Sequence, residues 1–479
     1  MNPLKLSLLI SLTVSTAAAG TCTFAIAQPA IAQPPVSSIV PVASVPAALP
    51  PMATPKFAPP RASRLNVETL VQALDQNDVS GAIRQVELGW KYQFEQYYQG
   101  KFTIQYLDPE QMARSLNQLH RLTGKKTALI YAIPTPKQLE LILVTPGTKP
   151  IHQRITAASR DELLAVAKTF RTGVVNPASK PSDYLPAAKQ LHEWMITPLE
   201  PTLKAQRVDT LILCVGTGLR SLPMAALHDG QKFLVEKYSL GIIPAFNLVD
   251  RHPSVLQGTQ VLAMGASEFQ EQPPLPAVPV ELAAITRTLW RGRSLLNQDF
   301  TIANLKAQRA ATPYGIVHLA THAEFLPGSA NESYIQFWNQ QLRPTQFRDL
   351  GLRVPVVQLL VLSACRTALG NPEAELGFAG LAVQSGSKAA IASLWSVSDT
   401  GTLVLMTELY RHLKTAPIKA EALRQAQIAL LTKQVNLNNN LALRTGSAGS
   451  LPPEVANFEG THLAHPYYWA AFTLIGNPW

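Results

Sequence analysis

Two residues in the C-terminal half of the chain have the chemistry that covalent acyl transfer requires. His322 and Cys365 each follow a short apolar run, 315–320 and 356–363, of the kind that forms a strand covered on both faces. Because parallel strands end at one edge of a sheet, we expect the His322 ring nitrogens within about 6 Å of the Cys365 sulfur. An imidazole that takes the thiol proton makes cysteine a strong nucleophile at neutral pH. The pair therefore predicts a cysteine that attacks a carbonyl carbon.

Other interpretations of the same residues stay open. Cys365 could be a buried structural cysteine, or it could form a disulfide with Cys214 in an oxidising compartment. His318 precedes His322 by four residues and shares its face on a regular strand, so alternation alone does not choose between them. We interpret His318 as structural, because a His-x-x-x-His metal pair needs a helix and no acidic third ligand is evident.

The elements that must position these residues alternate between strands and helices. This order predicts an α/β fold with a mainly parallel sheet and helices on both faces. Strands are predicted, the first two as a hairpin, at 127–133, 139–145, 210–215, 261–265, 315–320, 356–363 and 389–394. Helices are predicted at 160–170, 185–195, 281–289, 302–310, 377–385, 402–413 and 420–432. The run 465–469 is predicted to open a closing strand that continues through 469–475, and the aperiodic loop 436–459 could gate a site or be cut.

The N-terminal sequence predicts export. Lys5, a short apolar run and two small-residue sites are typical of a signal peptide at 1–27, with cleavage possible at 32. An uncleaved membrane anchor is the alternative. We expect a periplasmic or secreted protein with no stable membrane span in its mature form.

The rest of the chain divides into three regions by composition. Ten prolines within 28–62 predict a disordered linker. The pattern of 63–120 predicts a helical segment that packs on the main domain. The main domain is expected at 121–479, with an N-terminal half at 121–250 and a catalytic half at 255–479.

Composition excludes several classes of function. The chain has 479 residues and a formal net charge of +10, with 47% hydrophobic residues, enough to bury a large core. Lysine and arginine are scattered, without the clustered basic face that nucleic-acid binding requires. No phosphate-binding glycine loop, dinucleotide fingerprint or zinc cluster occurs, so neither a cofactor nor a metal is predicted. The sequence gives no indication of the oligomeric state.

A series of motifs in a fixed order resembles the CHAT domain, a caspase-like domain related to caspases and separases. The resemblance extends over about residues 105–479. Its segments are 127–131, 222–227 with Tyr238, 275–276 ahead of Glu281, 318–322, 362–367, 391–397 and 465–472.

This resemblance implies a cysteine endopeptidase that acts on protein or peptide substrates. His322 would be the catalytic base and Cys365 the nucleophile, and the backbone N–H groups of Ala323 and Cys365 would form the oxyanion hole. The family usually has glycine where this chain has Ala323; alanine keeps the N–H but resists positive φ. A non-catalytic interaction or signalling module of the same fold is the alternative function.

Three residues are candidates for substrate binding. Ser363 occupies the position where related enzymes that cut after lysine or arginine have an acidic residue. Asp399 could supply a carboxylate for a basic side chain, or it could cap the following helix, a role for which Ser398 and Thr400 compete. Trp395 could form the wall of a subsite or close the core.

Overall fold

The computed structural model describes residues 64–367, 369–435 and 462–479, and for residues 364–367 it describes the backbone alone. The regions outside the described residues include the predicted signal peptide (1–27), the linker (28–62) and the loop 436–459.

Thirteen strands of the described chain form one mixed sheet. They are β1 (Thr127–Pro134), β2 (Leu139–Val144), β3 (Ile151–Ile155), β4 (Thr210–Val215), β5 (Ser239–Ile242), β6 (Val261–Gly265), β7 (Gly292–Leu296), β8 (Ile316–Phe325), β9 (Tyr334–Gln336), β10 (Gln341–Leu342), β11 (Leu359–Thr367), β12 (Ala389–Ser393) and β13 (Phe472–Gly476). Their order is β10-β9-β8-β11-β12-β13-β5-β4-β1-β2-β3, with β6 beside β8 and β7 beside β6.

The helices of the same residues cover the sheet. They are α1 (Val67–Asp75), α2 (Val79–Tyr97), α3 (Pro109–Thr123), α4 (Arg160–Val174), α5 (Pro181–Met195), α6 (Glu200–Ala205), α7 (Leu234–Lys237), α8 (Val278–Ala283) with a π-helical continuation (Ala284–Leu289), α9 (Ile302–Ala311), α10 (Pro372–Ala379), α11 (Leu381–Ser385), α12 (Asp399–Leu413), α13 (Lys419–Leu431) and α14 (Pro466–Trp469). The predicted α/β fold with a mainly parallel sheet is confirmed.

The sheet consists of two parallel blocks that run in opposite directions. β7, β6, β8, β11 and β12 are parallel neighbours in one block. β13 pairs antiparallel with β12 and parallel with β5, which continues in parallel through β4 and β1. The carboxyl ends of β8 and β11 therefore meet at one edge, whereas those of β5 and β4 lie at the opposite edge.

Local sequence explains where individual helices begin and end. At the start of α3, Asp108 accepts a hydrogen bond from the Gln111 N–H, and the Gln111 side chain accepts one from the Asp108 N–H. Pro109 at the first helical position has no N–H to leave unpaired, and Gly124 ends the helix at φ 69°. This is a complete capping box with a left-handed stop, so α3 is defined by its own residues.

A buried carboxylate connects the N-terminal helices to the sheet. Glu87 of α2 is 1% exposed and accepts hydrogen bonds from the Tyr131 hydroxyl at 2.7 Å and from the N–H groups of Phe246 and Asn247 at 2.8 and 2.9 Å. Burial raises the pKa of the Glu87 carboxyl. Because Trp90 of the same helix packs on the Tyr131 ring, α2 is bound to β1 by both polar and apolar contacts.

Two features of the fold differ from the sequence prediction. Residues 466–469 form the short helix α14, with His465 as its N-cap, so the predicted strand over 465–469 is wrong and β13 begins at Phe472. The physical reason is local: Pro466 occupies the first helical position and the His465 ring accepts from the Tyr467 N–H. The strands β3, β5, β7, β9 and β10 were not predicted, while α1, α2 and most of α3 lie within the predicted helical segment 63–120.

Candidate active site

The paired strands β8 and β11 bring the two candidate catalytic residues to neighbouring positions. Leu362 pairs with Leu319, Ala364 with His322 and Cys365 with Ala323, so Cys365 lies one position beyond His322 on the adjacent strand. Adjacent strands are about 4.8 Å apart, so the two backbones are close. Residues paired across two strands share a face, and Cys365 pairs with the residue after His322, so a side-chain dyad requires a departure from regular alternation at the end of β11. The Cys365 side chain lies outside the described atoms, and the 6 Å expectation stays a prediction.

A β-bulge separates the two histidines of β8 by face. Between the pairs at Leu319 and His322, β8 contains one residue more than β11. An extra residue reverses the alternation of side chains beyond it, so His322 lies on the opposite face from His318. On a regular strand the two histidines would share one face of the sheet. The bulge puts them on opposite faces, so that expectation is wrong.

The surroundings of His318 are those of a structural residue. Its side chain is fully buried, with Nε2 2.8 Å from Glu281 Oε1 of α8 and Nδ1 3.1 Å from the Tyr410 hydroxyl of α12. Burial raises the pKa of the Tyr410 hydroxyl well above its ordinary value, so Tyr410 stays a neutral hydrogen-bonding partner. His318 therefore links β8 to two helices and has no access to solvent.

His322 is half-buried and oriented by the loop 266–277, which follows β6. Its Nε2 lies 2.9 Å from the Pro273 carbonyl oxygen, and the Phe269 ring packs edge-on with centroids 4.6 Å apart. A carbonyl can only accept, so this contact places the ring proton on Nε2 and leaves the Nδ1 lone pair available. The imidazole is thereby held in the tautomer that a general base needs.

The loop 266–277 is fixed at both ends by side chains from elsewhere. The Ser267 N–H donates to Asn297 Oδ1 at 2.8 Å, and the Ala277 N–H donates to Asp399 Oδ2 at 2.5 Å. Sequence reasoning missed Phe269 and Pro273, because nothing in the local sequence of the loop indicates contact with a residue about fifty positions later. The adjacent prolines 273 and 274 signal only a segment without regular structure.

Asp399 is an anchor of this loop and not a helix cap. Ser398 is the N-cap of α12, accepting from the Gly401 N–H at 3.1 Å, and Asp399 is the first helical residue. The capping interpretation of Asp399 is therefore wrong, while its suggested contact with a basic substrate side chain stays a prediction.

The other two candidates for substrate binding are buried. Ser363 is 1% exposed within β11, and Trp395 is 5% exposed with its indole N–H donating to the Tyr467 carbonyl at 3.1 Å. This burial favours packing roles for both residues. Contact with a substrate would require the neighbouring segments to move.

Ala323 lies in extended strand between two neighbours. It pairs with Cys365 of β11 on one side and with Ile335 of β9 on the other, and it is 2% exposed. An in-plane N–H at such a position faces an adjacent strand instead of solvent. Use of this N–H as an oxyanion donor would require β9 or β11 to shift.

The CHAT domain family matches residues 185–477, more than half of the chain. The chain belongs to the CHAT domain family. No curated protein matches the sequence.

Solved structures similar to this CHAT protein include two of the Saccharomyces cerevisiae separase–securin complex. They have TM-scores of 0.45 and 0.43 at 10% identity, each covering 83% of this chain and 34% or 33% of the other. The Arg-specific cysteine proteinase gingipain R has a TM-score of 0.36 at 11% identity, covering 67% of this chain and 74% of its own. The chain spans about a third of the length of the separase structures it matches.

The disulfide interpretation of the CHAT domain's cysteines is wrong. Cys214 is a free, fully buried thiol on β4, 3.7 Å from the Pro244 carbonyl, and burial raises its pKa well above the ordinary value. Three strands separate β4 from β11, far beyond the roughly 7 Å Cα separation that a disulfide spans. Cys214 is therefore a packed, unreactive thiol in this fold.

A second buried carboxylate stabilises the segment that follows β11. Glu375 of α10 is fully buried and accepts hydrogen bonds from the Gly218 N–H at 2.7 Å and the Ser221 hydroxyl at 2.6 Å. The same hydroxyl accepts from the Gly370 N–H at 2.9 Å. Burial lowers the pKa of the Arg220 guanidinium, and the charge of Glu375 opposes that effect. This network fixes the loop after β4 against the residues just beyond Cys365.

The described residues show neither a metal-binding cluster nor a membrane-spanning helix. No group of three or more His, Cys, Asp or Glu side chains there could hold a metal ion. Over the same ranges, no helix has the length and apolar character needed to span a bilayer.

Proposed function

We propose that this CHAT protein is an exported caspase-like cysteine endopeptidase, with Cys365 as nucleophile and His322 as base. The observation that supports the proposal is the register of β8 and β11, in which Cys365 follows the partner of His322 by one residue at the carboxyl edge of the sheet. The proposed dyad requires the end of β11 to turn the Cys365 side chain toward His322. The Pro273 carbonyl adds support, because it leaves the His322 Nδ1 free to accept a proton. The predicted signal peptide is the basis for export.

The proposed reaction moves one proton through His322. Nδ1 accepts the thiol proton of Cys365, and the thiolate forms a bond to the carbonyl carbon of the scissile peptide. The imidazolium then donates its proton to the departing amine as the C–N bond breaks, leaving a thioester. Water, deprotonated by His322, attacks the thioester, and the thiol leaves with the proton that His322 returns. The Pro273 carbonyl stabilises the imidazolium stage through the second ring N–H.

The alternative function is a non-catalytic CHAT interaction or signalling module. One observation favours it: Ala323 lies in extended strand between β9 and β11, where its N–H does not face an open site. A peptidase that used this N–H would need β9 or β11 to move when substrate binds. An interaction module would not need that movement.

Covalent labelling of the full-length protein tests the proposal. We expect a peptidyl acyloxymethyl ketone to modify Cys365 rapidly and Cys214 not at all in the native protein, because burial keeps Cys214 protonated and inaccessible. In His322→Ala the rate at Cys365 should fall by at least about tenfold, as expected for a thiol that has lost its base.

The measurement is peptide mass spectrometry after timed labelling, with Cys365→Ser as the control without a nucleophile. Equal slow labelling of the native protein and His322→Ala would support the non-catalytic module and exclude the dyad. Rapid labelling of Cys214 would show that the sheet opens, and the comparison would then be repeated at a lower temperature.

Asp399→Asn should reduce the labelling rate at Cys365 by about threefold to tenfold while the melting temperature changes little. The substitution keeps the side-chain shape but replaces the carboxylate that holds the Ala277 N–H, so the loop bearing Pro273 orients His322 less firmly. Asp349→Asn, at an exposed aspartate, is the matched control. If both variants label at the native rate, the anchoring role assigned to Asp399 is wrong.

A further inference from the structure

A cleft of about 630 Å³ lies at the sheet edge opposite the candidate active site. Its lining includes Val356 just before β11, Lys388 just before β12 and Gly476 at the end of β13. Because β11 rises about 3.3 Å per residue, the cleft is about 20 Å from the position of Cys365. It is a separate site, which the proposed peptidase reaction does not use.

The cleft is strongly basic. Lys101, Arg348, Arg353 and Lys388 line it, against the single carboxylate of Asp250. That carboxylate is already engaged, since Asp250 Oδ1 lies 2.7 Å from His252 Nδ1 and Oδ2 lies 3.7 Å from Lys388 Nζ. Lys101 Nζ likewise lies 3.6 Å from Glu95 Oε2, whereas Arg348 and Arg353 have no ion-pair partner among the described residues. Two paired lysines and two guanidinium groups without a carboxylate leave the recess net positive, and such a recess concentrates anions. The scattered distribution of basic residues in the sequence conceals this cluster, because its members come from three distant segments.

A buried side-chain amide in the wall of the cleft has an acceptor oxygen without a hydrogen-bond partner among the described residues. Gln384 of α11 is 2% exposed, and its Oε1 has no hydrogen-bond partner within the described residues, although its Nε2 donates to the Pro344 carbonyl at 3.4 Å. An unsatisfied buried acceptor costs free energy, and a ligand hydroxyl or amino group would remove that cost.

The remaining walls are apolar and include an aromatic ring. Phe102 is packed beneath the Arg348 guanidinium, whose carbon is 5.4 Å from the ring centroid, and Leu248 and Val383 complete this surface. The cleft therefore offers cations for negative charge, an acceptor for an N–H or O–H donor, and flat apolar surface. Its volume is within the range of sites that hold ligands of a few hundred daltons.

We propose that this basic cleft binds a small organic polyphosphate of nucleotide size. Arg348, Arg353, Lys101 and Lys388 pair with the phosphates, Gln384 Oε1 accepts from a donor group of the organic part, and the apolar wall covers its ring. Inorganic phosphate supplies the charge but not the other two contacts. The organic part therefore adds affinity.

Isothermal titration and thermal unfolding of the full-length protein test this site, with ATP, ADP, AMP, adenosine and tripolyphosphate as probes. We expect micromolar binding of ATP that raises the melting temperature, weaker binding from ATP to ADP to AMP, and none by adenosine. The Arg348→Gln/Arg353→Gln variant, changed at two exposed residues, should bind ATP at least about tenfold more weakly. Lys137→Gln/Lys168→Gln removes two exposed charges elsewhere and should bind as the native protein does.

Three results would overturn the proposal. One is no binding of any phosphate probe up to about 1 mM. Another is an equal loss of ATP affinity in both double variants, which would mean that the net charge of the protein attracts ATP nonspecifically. The third is tripolyphosphate binding as tightly as ATP, which would remove any role for Gln384 and the apolar wall. The result is independent of peptidase activity, because the variants lie at the other edge of the sheet.

Discussion

His322→Ala should lower the peptidase rate by about 10²- to 10⁴-fold with almost no loss of stability, whereas His318→Ala should destabilise the fold. The two residues form a matched pair, since they are the same side chain on the same strand. His322 is half-exposed, and its hydrogen bond is to one carbonyl, so its removal should change the free energy of unfolding by less than about 1 kcal/mol.

The expectation for His318 has a different physical basis. Its ring is fully buried between Glu281 and Tyr410, and Glu281 itself is 1% exposed. Alanine would leave that carboxylate buried without its nearest partner and create a cavity beside β8. Losing a buried polar partner and leaving a cavity together cost about 2–4 kcal/mol.

Two measurements separate the roles. Urea unfolding gives the free energy of each variant, and hydrolysis of a fluorogenic peptide library gives the rate at a temperature where both variants are folded. Catalytic loss in folded His318→Ala equal to that in His322→Ala would contradict the assignment of His322 as base. A large loss of stability in His322→Ala would show that its contact with Pro273 is chiefly structural.

The sequence predicts the strands that carry the site better than it predicts the site's geometry. The runs 315–320 and 356–363 are mostly apolar, because both faces of β8 and β11 are covered, and that pattern can be recognised in the sequence of one strand alone. The bulge before His322 cannot be predicted from the sequence of β8 alone. It depends on how β8 pairs with β11, so alternation counted along one strand assigned His322 to the wrong face.

Contacts between distant segments account for most of what was missed. His322 meets Pro273, 49 residues earlier, and Asp399 meets Ala277, 122 residues earlier. Neither contact leaves a periodic signal in the sequence. The strands β3 and β7 were missed for a related reason: their side chains are mostly half-exposed and mixed in polarity, so they lack the apolar run that marks a covered strand.

The segment after Cys365 provides the second prediction with a large effect. Glu375→Ala should lower the free energy of unfolding by about 3–5 kcal/mol, because it removes the only carboxylate among the contacts described above for Gly218 and Ser221. Arg220, 1% exposed, would also lose the nearby negative charge that offsets its burial. Urea unfolding measures the effect, and Glu373→Ala, at an exposed glutamate of the same helix, is the control expected within about 0.5 kcal/mol of the native protein.

Glu375→Gln distinguishes the charge of Glu375 from its shape. Glutamine retains one acceptor oxygen, so it can satisfy either Gly218 or Ser221, and its amide directs N–H groups toward the remaining donor. If the charge next to Arg220 dominates, glutamine should lower the free energy of unfolding nearly as much as alanine does. If the hydrogen bonds dominate, it should lower it by about half as much.

Because the Ser221 hydroxyl also accepts from the Gly370 N–H, both variants should loosen the residues that follow Cys365. Their effect on the labelling rate of Cys365 should therefore exceed that of any equally destabilising substitution placed on the N-terminal helices. Equal stability of Glu375→Ala and Glu373→Ala would mean that water reaches this network and that it does not fix the segment beside the proposed nucleophile.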